Sequence, residues 1–113
     1  MMNRILAPIL LLVFLFPALA LSEEVTMDDL VETNGLVYKK STDVPFTGKT
    51  TGQRQETYKD GVLDGPWFEY HDNGQLFGKG DYKKGKREGP WVTYLHNGQL
   101  VDEGTYKNGK KVD

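Results

Sequence analysis

The stretch GPWFEYHDNGQL at residues 65–76 is written again as GPWVTYLHNGQL at residues 89–100, with eight of twelve positions identical at a spacing of 24. Extended to residues 65–88 against 89–112, the comparison gives 13 identities in 24. A partial earlier copy, YKDGVLDG (58–65), aligns with YKKGKREG (82–89). A fixed period in the twenties marks one supersecondary unit stacked on itself.

Turn signals divide the unit into two strands. Asp60-Gly61, Asn73-Gly74, Lys84-Gly85, Asn97-Gly98 and Asn108-Gly109 recur 13 and 11 residues apart in alternation. Such dipeptides supply the positive φ angles of two-residue type I′ hairpins. The runs between them are rich in Tyr, Trp, Phe, Val and Thr. A glycine every five residues or so would cost a helix about 1 kcal/mol each relative to Ala. The expected fold is therefore all-β: a single-layer antiparallel meander of stacked β-hairpins.

Tyrosine marks the half-period. Tyr58, Tyr70, Tyr82, Tyr94 and Tyr106 fall every 12 residues, with Phe46 in the preceding slot. Because successive strands reverse, Tyr58, Tyr82 and Tyr106 are expected along one margin of the sheet, and Phe46, Tyr70 and Tyr94 along the other. With Asn73-Gly74 central in its turn, Trp67 falls opposite Gly80 and Tyr70 opposite Phe77. The same arithmetic at Asn97-Gly98 sets Trp91 opposite Gly104 and Tyr94 opposite Val101. Through Lys84-Gly85, Trp91 also meets Gly78. An indole laid over a strand glycine is a stabilising device, so Trp67–Gly80 and Trp91–Gly104 are assigned as the structural repeat, with Tyr58, Tyr82 and Tyr106. A bulge at Gly65-Pro66 or Gly89-Pro90 would shift the register locally.

Period-2 alternation sorts the faces. Trp67, His71, Leu76, Tyr82, Trp91, Leu95, Leu100 and Tyr106 share one. Phe68, Tyr70, Phe77, Val92, Tyr94 and Val101 share the other, and those six are the candidate partner-binding surface. Trp, Tyr and Phe dominate binding hot spots. They also build self-stacking ladders, which is the reading given to the Trp–Gly face. The last residues, Lys110-Lys111-Val112-Asp113, begin another copy, and lysines guard such an edge against pairing. Strand addition by a partner is a second route to binding there.

Three segments follow. Residues 1–20 carry Arg4, an apolar run from Ile5 to Phe16, Pro17 and Ala18-Leu19-Ala20, the parts of a secretory signal peptide cleaved near Ala20. Residues 21–56 are an extension in which Leu30–Glu32 and Leu36–Tyr38 flank Thr33-Asn34-Gly35 as a further hairpin joining the sheet. Glu23 to Asp29 is expected to be frayed. Residues 57–113 hold the repeats. The expected location is secreted or periplasmic. With Arg4 removed, 13 basic residues of the 14 stand against 16 acidic ones, a charge of −3. This leaves no basic footprint for nucleic acid and argues against simple attraction to anionic lipid.

The pattern GxWxxYxxNGQL…GxYKxGK resembles the variant MORN repeat, and the chain from about residue 29 to 112 is similar to bacterial proteins of the YwqK-type antitoxin family. The resemblance implies an extended sheet of stacked hairpins that binds or scaffolds. The antitoxin likeness implies neutralisation of a partner toxin by direct contact, and an immunity-like role in the periplasm is the form compatible with export.

Catalysis finds little footing. His71 and His96 occupy different repeat positions, there is no cysteine, and neither Ser22 nor Ser41 lies in a nucleophile elbow. The carboxylates Asp60, Asp64, Asp72, Asp81, Glu88, Asp102 and Glu103 suit turns and a solvated sheet surface. No catalytic residue, metal ligand or cofactor is expected. The expected partner is a protein, a toxin or an envelope component. The alternative is a structural or scaffolding module of the cell envelope contacting membrane or glycan.

Overall fold

The computed structural model describes residues 23–113, so the expected signal peptide lies outside the described residues. These form an all-β chain of antiparallel hairpins with one short 3-10 turn, Met27–Asp29. The strands are β1 (Glu23–Thr26), β2 (Leu30–Thr33), β3 (Leu36–Lys39), β4 (Gly48–Thr51), β5 (Arg54–Gln55), β6 (Thr57–Lys59), β7 (Val62–Leu63), β8 (Gly65–Tyr70), β9 (Leu76–Lys83), β10 (Lys86–Tyr94), β11 (Leu100–Lys107) and β12 (Lys110–Lys111). The repeats make a six-stranded sheet ordered β12-β11-β10-β9-β8-β5, beside a four-stranded sheet β1-β4-β6-β7 and the pair β2-β3.

Two kinds of turn alternate, whereas the X-Gly dipeptides alone imply one. Asp60-Gly61, Lys84-Gly85 and Asn108-Gly109 have both φ angles positive, at 51° and 84°, 51° and 84°, and 52° and 86°. These are type I′ turns. At the other end of the strands only Gly74 and Gly98 are positive, and the loops hold three residues. The Gly74 N–H donates to His71 O at 2.9 Å and the His71 N–H to Gln75 O at 2.8 Å. The Asn73 carboxamide oxygen accepts from the Gln75 N–H at 3.0 Å, and Asn97 repeats this on Gln99 at 2.9 Å. Asn is thus used here for its side chain, which closes the loop locally.

The longer loop changes the register. Tyr70 lies opposite Leu76 rather than Phe77, and Tyr94 opposite Leu100 rather than Val101. Phe77 and Val101 are left as bulge residues without a partner. The bulge offsets the extra loop residue, so Trp67 pairs with Gly80 and Trp91 with Gly104. Across the β9–β10 hairpin the ladder steps by two residues, from Glu88–Asp81 to Val92–Lys79. Thr93, not Trp91, therefore faces Gly78. Gly89, at φ 80°, opens this step.

The same step recurs 24 residues earlier. The Tyr58–Leu63 and Lys59–Val62 pairs give way to Gln55–Phe68 and Arg54–Glu69. β5 and β6 thus correspond to β9, and β7 and β8 to β10, so the repeat begins half a unit before the obvious copies.

The N-terminal extension differs most from expectation. β1 is not frayed: it pairs with β4, in parallel, and Val25 is 9% exposed. Val25, Phe46 and Tyr58 form the buried core, with Leu30, Val37 and Leu63 against it. The Thr26 amide and hydroxyl both donate to the Asp29 carboxylate, at 2.9 and 3.0 Å, and hold its pKa below the usual range. The β2–β3 hairpin does not join a larger sheet. It is tied on by the Val37 N–H to Gly61 O and the Phe46 N–H to Val37 O, both 2.9 Å. Phe46 also sits on the Tyr58 margin, not the opposite one, with ring centroids 5.9 Å apart. Gly48 pairs with Tyr58, so Phe46, two residues before β4, lies beside the end of β6, where its carbonyl accepts from the Gly61 N–H at 2.8 Å.

Candidate functional site

Trp91 is the centre of one sheet face. It is 4% exposed, with Trp67 at 5.2 Å between centroids, Tyr82 at 5.2 Å and Tyr106 at 6.3 Å. The Arg87 guanidinium lies 4.2 Å from its ring centroid, in cation–π geometry. Its indole N–H donates to Asp81 O at 3.1 Å. The aromatics of this face are occupied by one another.

The indoles do not cover the glycines assigned to them from the sequence. A Cβ at Gly80 would collide with the Trp91 ring, so Trp91 covers Gly80, while Trp67 only edges Gly78, at 3.3 Å from such a Cβ. Gly104 is covered by Lys111. The two-residue step in β10 carries Trp91 back over the preceding strand, and ladder arithmetic without that step misplaces it.

One repeat earlier, the slot of Gly80 holds Glu56, which is 7% exposed. The Tyr58 hydroxyl donates to one carboxylate oxygen at 2.6 Å and the Trp67 indole N–H to the other at 3.2 Å. Burial, followed by the adjacent carboxylate, raises the Tyr58 pKa far above 10. Sequence reading missed Glu56; sliding the 24-residue frame back from Gly104 and Gly80 would have found it.

The candidate binding residues are only partly brought together. Phe68 and Val92 both pair with Lys79, and Val92 pairs on its other side with Glu103, making one row across four strands. Val92 and Tyr94 border a cleft of ≈ 450 Å³ with Lys79 and Glu103. Phe68 borders a different cleft of ≈ 250 Å³, with Pro66, Glu24, Lys49 and Gln55. Phe77 leaves the row, because the bulge sets it against His71 at 5.2 Å, although alternation in the sequence puts those two on opposite faces. Val101, the other bulge residue, is 55% exposed.

The histidines meet at the hairpin tips, with ring centroids 6.4 Å apart. His71 Nε2 lies 2.8 Å from Tyr94 O, and since a carbonyl only accepts, that nitrogen carries the proton. Asn73 donates to His96 O at 2.8 Å, fastening the two tips together. Among the described residues no group of three or more His, Cys, Asp or Glu side chains is placed to hold a metal ion. No helix among them is long and apolar enough to cross a membrane.

Paired hairpins at a 24-residue period, with their largest aromatics packed on each other, define a repeat module. The MORN repeat variant model matches the chain twice, at residues 63–84 and 87–108. Each match spans a strand pair of the main sheet, β8–β9 and β10–β11. MORN repeats are generic, non-catalytic modules that often mediate protein or membrane binding. No curated protein and no solved structure matches the chain.

Proposed function

We propose that this protein is an exported, non-enzymatic repeat module that binds a protein partner through the sheet face opposite the tryptophan ladder. The observation that carries this reading is the row Phe68–Lys79–Val92–Glu103, in which two half-buried apolar side chains alternate with two exposed charges. Apolar anchors ringed by charge are the anatomy of a binding patch. Tyr94 extends the patch toward the hairpin tip. Neutralisation of a toxin, antitoxin- or immunity-like, is the form of binding that the resemblance to YwqK-type proteins suggests.

A photo-crosslinking amino acid at position 68 or 92 tests this in periplasmic extract of the source cells. One defined protein adduct is expected, absent when the probe replaces Arg87 on the ladder face. Alanine at Phe68, Val92 and Tyr94 together should abolish capture with the circular dichroism unchanged. Equal capture by that folded variant would refute the face as the binding surface. Sedimentation with the envelope fraction, without a protein adduct, would favour the structural alternative.

A further inference from the structure

At the outer edge of β11 the repeat pattern leaves a slot that a substitute fills. β12 pairs only at Tyr106–Lys111 and Lys107–Lys110. The Val112 N–H then reaches Thr105 O at 2.8 Å, and the Asp113 carboxylate accepts from the Thr105 N–H at 2.7 Å. From Leu100 to Gly104 the outer side of β11 faces no strand among the described residues.

The protein supplies its own template for what fits there. On β9, the equivalent edge is covered by β10: Trp91 lies over Gly80, Val92 pairs with Lys79 and Thr93 with Gly78. Shifted by 24 residues, Gly104 takes the place of Gly80, Glu103 that of Lys79 and Asp102 that of Gly78. The glycine is kept, while the two adjoining positions become acidic. Over Gly104 lie the methylene chain of Lys111, whose ammonium pairs with Asp102 at 3.2 Å, and the edge of the Asp113 carboxylate. Both members of that pair are well exposed, at 39% and 58% for their side chains, so screening by water makes it easy to exchange. Glu103 has no ion pair among the described residues.

We infer that β11 accepts an extended protein segment in antiparallel pairing, whose aromatic residue displaces Lys111 over Gly104 and whose next two residues are basic, facing Glu103 and Asp102. Backbone pairing supplies affinity, and the aromatic and the charges supply selection. Charge complementarity fixes the occupant: the edge presents two consecutive carboxylates where the template presents a lysine and a glycine. The inferred edge shares Glu103 with the Phe68–Lys79–Val92–Glu103 row but not Phe68, which lies on β8, so a change at Phe68 separates the two.

The probe is a fluorescein-labelled peptide GPWKRYLG, patterned on β10 and titrated into the full chain by anisotropy. Saturable binding is expected, with slowed hydrogen exchange at the β11 amides. It should weaken about tenfold or more, worth about 1.4 kcal/mol per decade, with the peptide GPAKRYLG, with GPWEEYLG, or in the Asp102→Lys/Glu103→Lys protein. Gly104→Val, with no positive φ to strain it, should abolish binding while Trp fluorescence holds. Lys111→Ala should tighten it. The Phe68→Ala variant should bind the peptide as the parent does, because Phe68 lies on β8, away from the β11 edge. Failure to saturate, equal binding of GPAKRYLG, or a dimer in sedimentation velocity that occupies the edge without peptide would each overturn the inference.

Discussion

Adding one methyl group at Gly80 should unseat the tryptophan ladder. The new Cβ would occupy the space of the Trp91 ring atoms. The ring is boxed in by Trp67 and Tyr82, each at 5.2 Å, and by Arg87 at 4.2 Å, so it has little room to retreat. Overpacking of this kind costs about 1–3 kcal/mol. Full expulsion would forfeit on the order of 150–250 Å² of buried aromatic surface, or roughly 4–6 kcal/mol as an upper bound. Gly80→Ala should therefore lose about 2–3 kcal/mol. Gly78→Ala, whose nearest neighbours lie at 3.2–3.3 Å, should lose about 1 kcal/mol or less. Gly104→Ala meets the far end of the flexible Lys111 side chain and the terminal Asp113 carboxylate, both of which can shift, and removing a strand glycine gains about 0.5–1 kcal/mol, so that variant should be neutral or slightly stabilised. Urea denaturation followed by Trp fluorescence reads the series; at a slope of about 1–3 kcal/mol/M the Gly80 and Gly104 variants should part by about 1–2 M. Equal midpoints for those two variants would refute the placement of Trp91.

Three further outcomes concern the N-terminal half. Glu56→Gln leaves one acceptor oxygen for the two donors Tyr58 and Trp67 and should cost about 1–3 kcal/mol in urea, despite unchanged volume. Val25→Ala should cost on the order of 2 kcal/mol by the same assay, since β1 is a docked strand; a frayed one would give nothing. Tyr58 makes stability pH-dependent on the alkaline side. Its folded pKa is raised, so above about pH 10 the unfolded chain loses this proton first and binds fewer than the native one. The contribution is complete below pH 10 and falls away as pH rises toward the folded pKa. Tyr58→Phe should flatten the fall in urea midpoint between about pH 9 and 11, with lower stability near neutrality.

Much of the architecture was legible because it is a local code repeated. X-Gly dipeptides at alternating 13- and 11-residue spacing require hairpins, and the Trp67–Gly80 and Trp91–Gly104 pairings emerge from turn arithmetic alone. The candidate site was less legible, for reasons visible at single residues. Phe77 and Val101 alternate correctly with Phe68 and Val92 in the sequence. The three-residue loops at Gly74 and Gly98 force a bulge at each, and period-2 logic fails across a bulge.

The sequence by itself determined the hairpin repeat and the alternating direction of the strands from β8 to β12, because turn chemistry acts within a few residues. Only the tertiary structure decided which glycine each indole covers, that Glu56 stands in a glycine's slot, that β1 docks in parallel on β4, and that His71 meets His96. Those depend on register steps and on contacts between distant parts of the chain, where one extra residue in a loop moves every side chain beyond it to a new neighbour.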